Sequence, residues 1–224
     1  GGRVIYRCKL TDIHEHSDHI ELITSQGSIN AGSLILAIGH SARDTYRMLL
    51  SHGLIIEPKP FSVGVRVEHL RDDIDKALYG RFAGHEKLGA GEYNLSDTKG
   101  GRGVYTFCMC PGGEVVPATS YEYGVCVNGM SKFARDGKNS NCAVNVSVYI
   151  NDYGNDPIRA IEFQESLERK AYTAGGGDYF APIQLMGDFL EDKVTSSPSR
   201  IIPTYADGNR TTVTNLNNIL PNFV

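Results

Sequence analysis

Long apolar runs are missing from this chain: none of its 224 residues belongs to a stretch approaching the ~20 that a membrane helix needs. A basic block is missing too. With 22 Lys and Arg against 26 Asp and Glu the formal charge is -4, and a mildly acidic chain of this kind argues against nucleic acid and anionic membrane as partners. No basic-then-apolar leader opens the sequence, so no secretion signal is read. Cysteine is sparse and odd in number, five in all. The positions 8, 108, 110, 126 and 142 contain no CxxC pair and match neither a disulfide framework nor a common zinc pattern. A reducing cytoplasm is the expected compartment. The Gly-x-Ser-x-Gly elbow, the HExxH helix, the P-loop and the G-x-G-x-x-G phosphate fingerprint are all absent, which removes the hydrolase classes that the first two mark.

The composition that remains is ordinary for a globular protein, with 41% hydrophobic and 21% charged residues. The length allows one large domain or two small ones with a core of their own. The opening GGRVIY, without methionine, and the closing NNILPNFV predict a piece cut from a longer protein.

Periodicity divides the chain near Glu57–Phe61, where EPKPF carries two prolines. Before it, Arg3–Leu10 reads as a strand, and His19–Thr24 alternates as a half-buried strand. Ser25-Gln26-Gly27 is a hairpin signal leading to a short return strand over residues 28–32. Ser33–Ile38 is nearly all apolar, as in a parallel strand covered on both faces. Ser41 is the predicted N-cap of a helix over Arg43–Ser51 that Gly53 ends.

After the boundary, Phe61–Glu68 reads as a strand and Leu70–Leu78 as a helix stopped by Gly80. Residues 83–103 form a long polar excursion. Val104–Cys110 and Glu114–Thr119 are expected to pair as a hairpin around Pro111-Gly112-Gly113. Cys142–Ile150 is another strand. Asp156-Pro157 opens a helix to about Thr173, closed by Gly175-Gly176-Gly177. Ala181–Leu190 and the tail from Thr211 are read as helices, with a Ser/Pro loop over residues 195–203. The predicted fold is α+β: residues 1–57 as a partial Rossmann-like dinucleotide-binding domain with a β-meander, residues 58–224 as a strand-rich mixed domain.

Four stretches carry candidate chemistry. Ile38-Gly39-His40-Ser41 follows an apolar strand, at the sheet edge where open α/β folds bind ligands; any buried strand before a turn would look the same. In YTFCMCPGGEVV, Cys108 and Cys110 are two apart on a predicted strand and so face one side. They fit either a redox thiol pair or ordinary core thiols. Gly112 and Gly113 offer freely oriented amides, or simply a hairpin turn. Asn128-Gly129-Met130-Ser131 fits a polar pocket lining or a capped turn before the next strand. His14, His16 and His19 lie on a predicted surface turn, where solvated side chains are expected rather than a metal site.

LILAIGHSARDTYRMLLSHGL, IEPKPFSVGVRVEH and RGVYTFCMCPGGEVVPATSYEYGVCVNGMS resemble the family of uncharacterised bacterial FAD-dependent dehydrogenases, NAD(P)/FAD-type oxidoreductases of the two-dinucleotide-binding class. The resemblance covers almost the whole chain, and its Cys-Met-Cys-Pro-Gly-Gly and Asn-Gly-Met-Ser segments are the most distinctive. It implies that residues 1–57 match the middle of a flavin domain, with the phosphate loop upstream, and that the remainder is an inserted substrate domain. Ile38 stands where such flavoproteins commonly carry threonine. The resemblance implies FAD as cofactor, NAD(P)H as a candidate electron donor and a small molecule as substrate. Ile38, Gly39, His40, Ser41, Gly112 and Gly113 would contact the cofactor, Cys108 and Cys110 would be catalytic, and Asn128, Met130 and Ser131 would meet the substrate. The fragment alone is expected to be inactive. A non-catalytic binding module, with residues 83–103 as its recognition loop, is the competing expectation.

Overall fold

The computed structural model describes residues 2–224. The chain divides into two compact units, residues 1–57 and 58–224. The first holds an antiparallel meander of β1 (Leu10–Glu15), β2 (Ile20–Thr24) and β3 (Gly27–Ala31), followed by α1 (Arg43–Ser51). β1 begins where the expected strand over Arg3–Leu10 would end. A strand lasts only as long as its ladder partner, and β2 reaches from Ile20, opposite Glu15, to Thr24, opposite Leu10. Arg7, at a φ of 54°, turns the chain away before that.

The β2–β3 hairpin closes at Ser25-Gln26 as the sequence predicts, with Gly27 at a φ of 115°. The parallel strand expected at Ser33–Ile38 does not form. Among the described residues the three strands of this unit pair only with one another, and none pairs with residues 33–38 to complete a ladder. Ile35 is accordingly 90% exposed. A Rossmann-like sheet is therefore not present among the described residues of this unit. α1 matches its predicted bounds, but Ala42 and not Ser41 is the N-cap, and the Ser41 hydroxyl instead meets His40 Nε2 at 3.2 Å. Gly53, left-handed at 77°, closes the helix by donating to the Leu50 carbonyl at 2.9 Å.

The second unit is mixed α+β. It opens with β4 (Phe61–Leu70) and α2 (Arg71–Tyr79), which Gly80 stops at a φ of 54°. β5 (Ser96–Lys99) is an edge strand within the expected excursion, and β6 (Arg102–Cys110) follows. Next come β7 (Gly113–Pro117), β8 (Val127–Ser131) and β9 (Asn139–Val148). The main antiparallel sheet has the order β4-β9-β6-β5, with β4 and β9 paired along their whole length from Phe61–Val148 to Leu70–Asn139.

Period two gives this sheet two unlike faces. Val63, Val65 and Val67 share a face with Val144, Val146, Val148 and Val104. This is the packed side: Val146 is 6% exposed and Val148 is fully buried. On the other face stand Ser62, Gly64, Arg66, Ala143, Asn145, Ser147, Gly103, Tyr105 and Phe107.

β6 and β7 do not form the expected hairpin. β6 pairs with β5 and β9, while β7 pairs with β8 in a separate two-stranded sheet. The cause is local. Cys108 is left-handed at a φ of 52°, the β6–β9 register slips between Phe107 and Cys110, and Gly112 is left-handed at 53°. The chain is bent out of one sheet and into the next. Asn128-Gly129 is likewise no turn: it lies inside β8, opposite Val116 and Val115.

The unit continues with α3 (Ile150–Tyr153) and α4 (Pro157–Ala174). α4 follows its local signals: the Asp156 side chain accepts the Ile158 N–H at 2.8 Å, Pro157 opens the first turn, and glycines follow the end. Asp156→Ala is expected to lower stability by about 1 kcal/mol, the usual cost of losing such a cap, read as an earlier urea midpoint at unchanged slope.

The helix expected over Ala181–Leu190 is split into β10 (Ala181–Ile183) and α5 (Met186–Leu190). Pro182 has no N–H to give a helix. β10 pairs in parallel with β11 (Thr211–Val213), so the tail read as helical starts as a strand, in keeping with its β-branched Thr-Thr-Val. No helix among the described residues is long and apolar enough to cross a membrane.

Candidate functional site

The bend between β6 and β7 sits on a buried polar cluster. β9 starts with Asn139, Ser140 and Asn141, which are 4%, 0% and 0% exposed. Burying such groups is costly unless each finds a partner. The Ser140 hydroxyl accepts the Gly112 N–H at 2.9 Å. Asn139 donates to the Ile202 carbonyl at 2.9 Å and to Glu68 at 3.2 Å. Glu68 also accepts the Thr204 hydroxyl at 2.5 Å, and Thr204 Oγ1 accepts the Val115 N–H at 2.7 Å. The side chains beneath the bend thus tie β4, β7, β9 and the Ile202–Thr204 segment together.

Arg66 is the charged member. It projects from the small-residue face of β4, donates Nη1 to Asn141 Oδ1 at 2.7 Å and Nη2 to the Cys108 carbonyl at 3.0 Å, and stands 3.9 Å from the Cys110 sulfur. No carboxylate pairs with it among the described residues. Gly129 makes the space: a Cβ there would stand 1.9 Å from Arg66 Nη1 and 2.4 Å from Asn141 Oδ1. Asn141 Nδ2 is buried without a hydrogen-bond partner among the described residues.

The residues singled out in the sequence meet here in part. Cys110, Gly112, Gly113 and Ser131 come together, with Ser131 Oγ donating to the Pro111 carbonyl at 2.9 Å and Gly113 paired with Ser131. Cys108 and Cys110 do not face one side. Between Phe107 and Cys110, β6 spends one residue more than β9 does between Ala143 and Asn141, a bulge that leaves Cys108 exposed and Cys110 6% exposed. Both thiols are free. Burial pushes the Cys110 thiol up; the nearby Arg66 charge pulls the other way without reversing it. Cys110 is thereby held as a neutral thiol near neutral pH.

The Gly112 amide is not freely oriented, because Ser140 takes it, and Pro111, Gly112 and Gly113 are all buried. Asn128 and Met130 stand on the opposite side of β8 from Gly129 and Ser131, and Met130 is 60% exposed. The three expected substrate residues are therefore divided by strand period. Ile38, Gly39, His40 and Ser41 belong to the first unit, where Gly39 is left-handed at 69° and its carbonyl accepts the Tyr46 hydroxyl at 3.0 Å. His14 and His52 flank Asp12, and no three His, Cys, Asp or Glu residues among those described converge as a metal site.

Toward the Phe61 end of β4 a cleft of about 350 Å³ is lined by Phe61, Ser62, Tyr105, Phe107, Asn145, Ser147 and Tyr149 along with Pro60; Arg66, further along the same strand, is not part of its lining. Ser62 Oγ and Tyr105 OH meet at 2.6 Å, and Phe107 is 63% exposed. The exposed rings of the cleft can hold a flat molecule against the strands. Sequence reasoning missed Arg66, Asn141 and Ser140. The available signal was a charge at Arg66 in the same strand phase as Ser62 and Gly64.

A second polar chain runs on the packed face. His69 Nε2 and Tyr93 OH meet at 2.7 Å, and Tyr93 OH and Cys142 Sγ at 3.1 Å. Burial pushes the Tyr93 hydroxyl up and the His69 imidazole down. With its folded value depressed, His69 binds its proton more readily in the unfolded chain. Stability is therefore full above about pH 6.5, the ordinary imidazole value, and falls as acid is added through the lower folded value. His69→Asn is expected to flatten that fall, measured as urea midpoints between about pH 7 and 5.

The family model described as FAD-dependent protein, C-terminal domain-like matches residues 60–224. An "Uncharacterized protein" of Clostridium beijerinckii (strain ATCC 51743 / NCIMB 8052) is 44% identical over 212 residues, covering 93% of this chain and 40% of the relative. The chain thus spans well under half the length of that relative. On the match over residues 60–224, the chain belongs to the FAD-dependent protein, C-terminal domain-like family.

Proposed function

We propose that this chain is part of an FAD-dependent oxidoreductase, a dehydrogenase, whose second unit covers the flavin ring and receives a small-molecule substrate. The observation that carries the reading is the match of residues 60–224 to an FAD-dependent family, together with an open cleft lined by Tyr105 and Phe107 on the strand face that also carries Arg66, a guanidinium without a carboxylate partner among the described residues. These residues fit a planar ring with a polar edge. The Gly112 amide is engaged by Ser140 and so is not offered to the cofactor's phosphates.

Bound FAD would supply hydride or electron transfer. The chain's own residues supply the rest. Tyr105 and Phe107 hold a ring flat and keep water from its face, Arg66 meets negative charge at its edge, and Asn141 fixes the guanidinium. Cys108 and Cys110 belong to the same corner, with exposed Cys108 the member a substrate can reach. The 224 residues alone are expected neither to hold FAD tightly nor to turn over, because amide contacts at a phosphate loop supply much of dinucleotide binding.

The test is the absorbance spectrum of the purified full-length protein, before and after anaerobic NADH or NADPH. Flavin bands that bleach are the expected result and name the donor. Bands that persist would move the electron source to an organic substrate. A colourless protein would overturn the reading and favour a binding module.

A further inference from the structure

β7 ends at Pro117, and the segment after it faces the tight turn at Tyr205–Gly208 across a cleft of about 610 Å³. That volume is within the usual range for small-molecule sites. Tyr121, Tyr179 and Tyr205 line it, together with Thr119, Glu122 and Arg210. The rings are held in place. Tyr121 lies over Gly124, where a Cβ would stand 2.8 Å from the ring. The Tyr205 hydroxyl donates to the Tyr179 carbonyl at 3.0 Å, and Tyr205 is anchored among Val115 and Ala181. The Tyr179 ring meets Tyr172 edge-on at 5.0 Å.

The wall is also strained. Tyr179, Ala206 and Asp207 have φ of 58°, 48° and 57°. For residues with a Cβ, each such backbone costs on the order of 1 kcal/mol, and the cost persists where surrounding structure enforces it, often at ligand sites.

Two opposite charges face this cleft. Arg210 is fixed through its carbonyl, which accepts the Ala181 N–H at 2.8 Å, and its guanidinium has no carboxylate within ion-pair distance among the described residues. Its charge reaches the Tyr205 hydroxyl, opposing the upward push of burial there. Glu122 has no cation within ion-pair distance among the described residues either. A simple aromatic acid would satisfy Arg210 while setting its charge against Glu122; an aromatic amine would do the reverse. A zwitterion with an aromatic body satisfies both.

We infer that the cleft between the Pro117–Glu122 segment and the Tyr205–Arg210 segment binds an aromatic amino acid, its carboxylate on Arg210, its ammonium toward Glu122 and its ring among the tyrosines. The inference stands apart from the flavin reading and uses none of its residues.

Isothermal titration of the full-length protein with L-phenylalanine tests it, with benzoate and phenethylamine titrated alongside. The expected result is saturable binding with a Kd below about 1 mM, weakened at least about tenfold by Arg210→Gln and by Glu122→Gln. Both side chains are exposed, so the two variants should melt as the parent does, which separates binding from folding. Absence of saturable binding below that concentration overturns the inference. So does benzoate or phenethylamine binding as tightly as L-phenylalanine, or a variant that binds as the parent does.

Discussion

Gly112→Ala is expected to cost about 3 kcal/mol, from two separate penalties. The residue is left-handed, at a φ of 53°, which disfavours any L side chain by about 1–2 kcal/mol. The added methyl would also stand 2.1 Å from the Arg135 carbonyl oxygen and 2.3 Å from its carbon. Those are backbone atoms, held because the Gly137 N–H donates to the Gly112 carbonyl at 3.1 Å across the same gap. Relief requires moving a strand connection rather than a rotamer, and overpacking of that kind costs roughly 1–3 kcal/mol. Against a typical domain stability of about 5–15 kcal/mol the loss is large. It should appear as an earlier urea midpoint, with faster proteolysis of the Lys132–Lys138 connection. Gly89→Ala is the matched control: nothing lies within 4 Å of its Cβ position and its φ is not left-handed. Equal midpoints for the two variants would refute the account of the bend.

The same bend shows where sequence stops informing on structure. α4 was legible because its signals are local: Asp156 caps its own next turn, Pro157 starts the helix and Gly175 follows its end. α1, α2 and the β2–β3 hairpin were legible for the same reason. The pairing of β6 was not. Pro111-Gly112-Gly113 is a good turn in either fold, and what decides against a β6–β7 hairpin is β9, whose Asn141 and Ala143 take the place beside Cys110 and Phe107. That choice is made by residues distant in sequence. The split of Ala181–Leu190 is similar, since β10 is a strand only because β11 runs beside it.

In the site, alternation alone placed Cys108 and Cys110 on one side, and one bulged residue undid the phase. Asn139-Ser140-Asn141 lay just outside the expected strand, so their burial was invisible. Arg66 lay inside its strand but was read as an ordinary alternating position. Only the fold shows that Gly129 has cleared room for its guanidinium.

Arg66→Met is expected to separate what holds the corner together from what the corner does. The methionine fills similar volume but leaves Asn141 Oδ1 without its donor, while the Cys108 carbonyl keeps only the Cys110 thiol at 3.3 Å. Asn141 is fully buried and its Nδ2 already has no partner among the described residues. A buried acceptor left unmatched costs about 1–3 kcal/mol, so the melting midpoint should fall measurably while the protein still folds. The functional loss should be larger. A fixed cation beside developing negative charge in a water-poor site is worth about 10²–10³ in rate, so flavin reduction in the full-length variant should slow by about that factor with flavin content unchanged. Arg66→Lys discriminates the two effects. Lysine keeps the charge but cannot bridge Asn141 and the Cys108 carbonyl with one planar fork. It should therefore recover much of the reduction rate while leaving most of the stability loss in place. If stability and rate instead fall and recover together across the two variants, Arg66 is a structural strut, and its charge has no part in the chemistry.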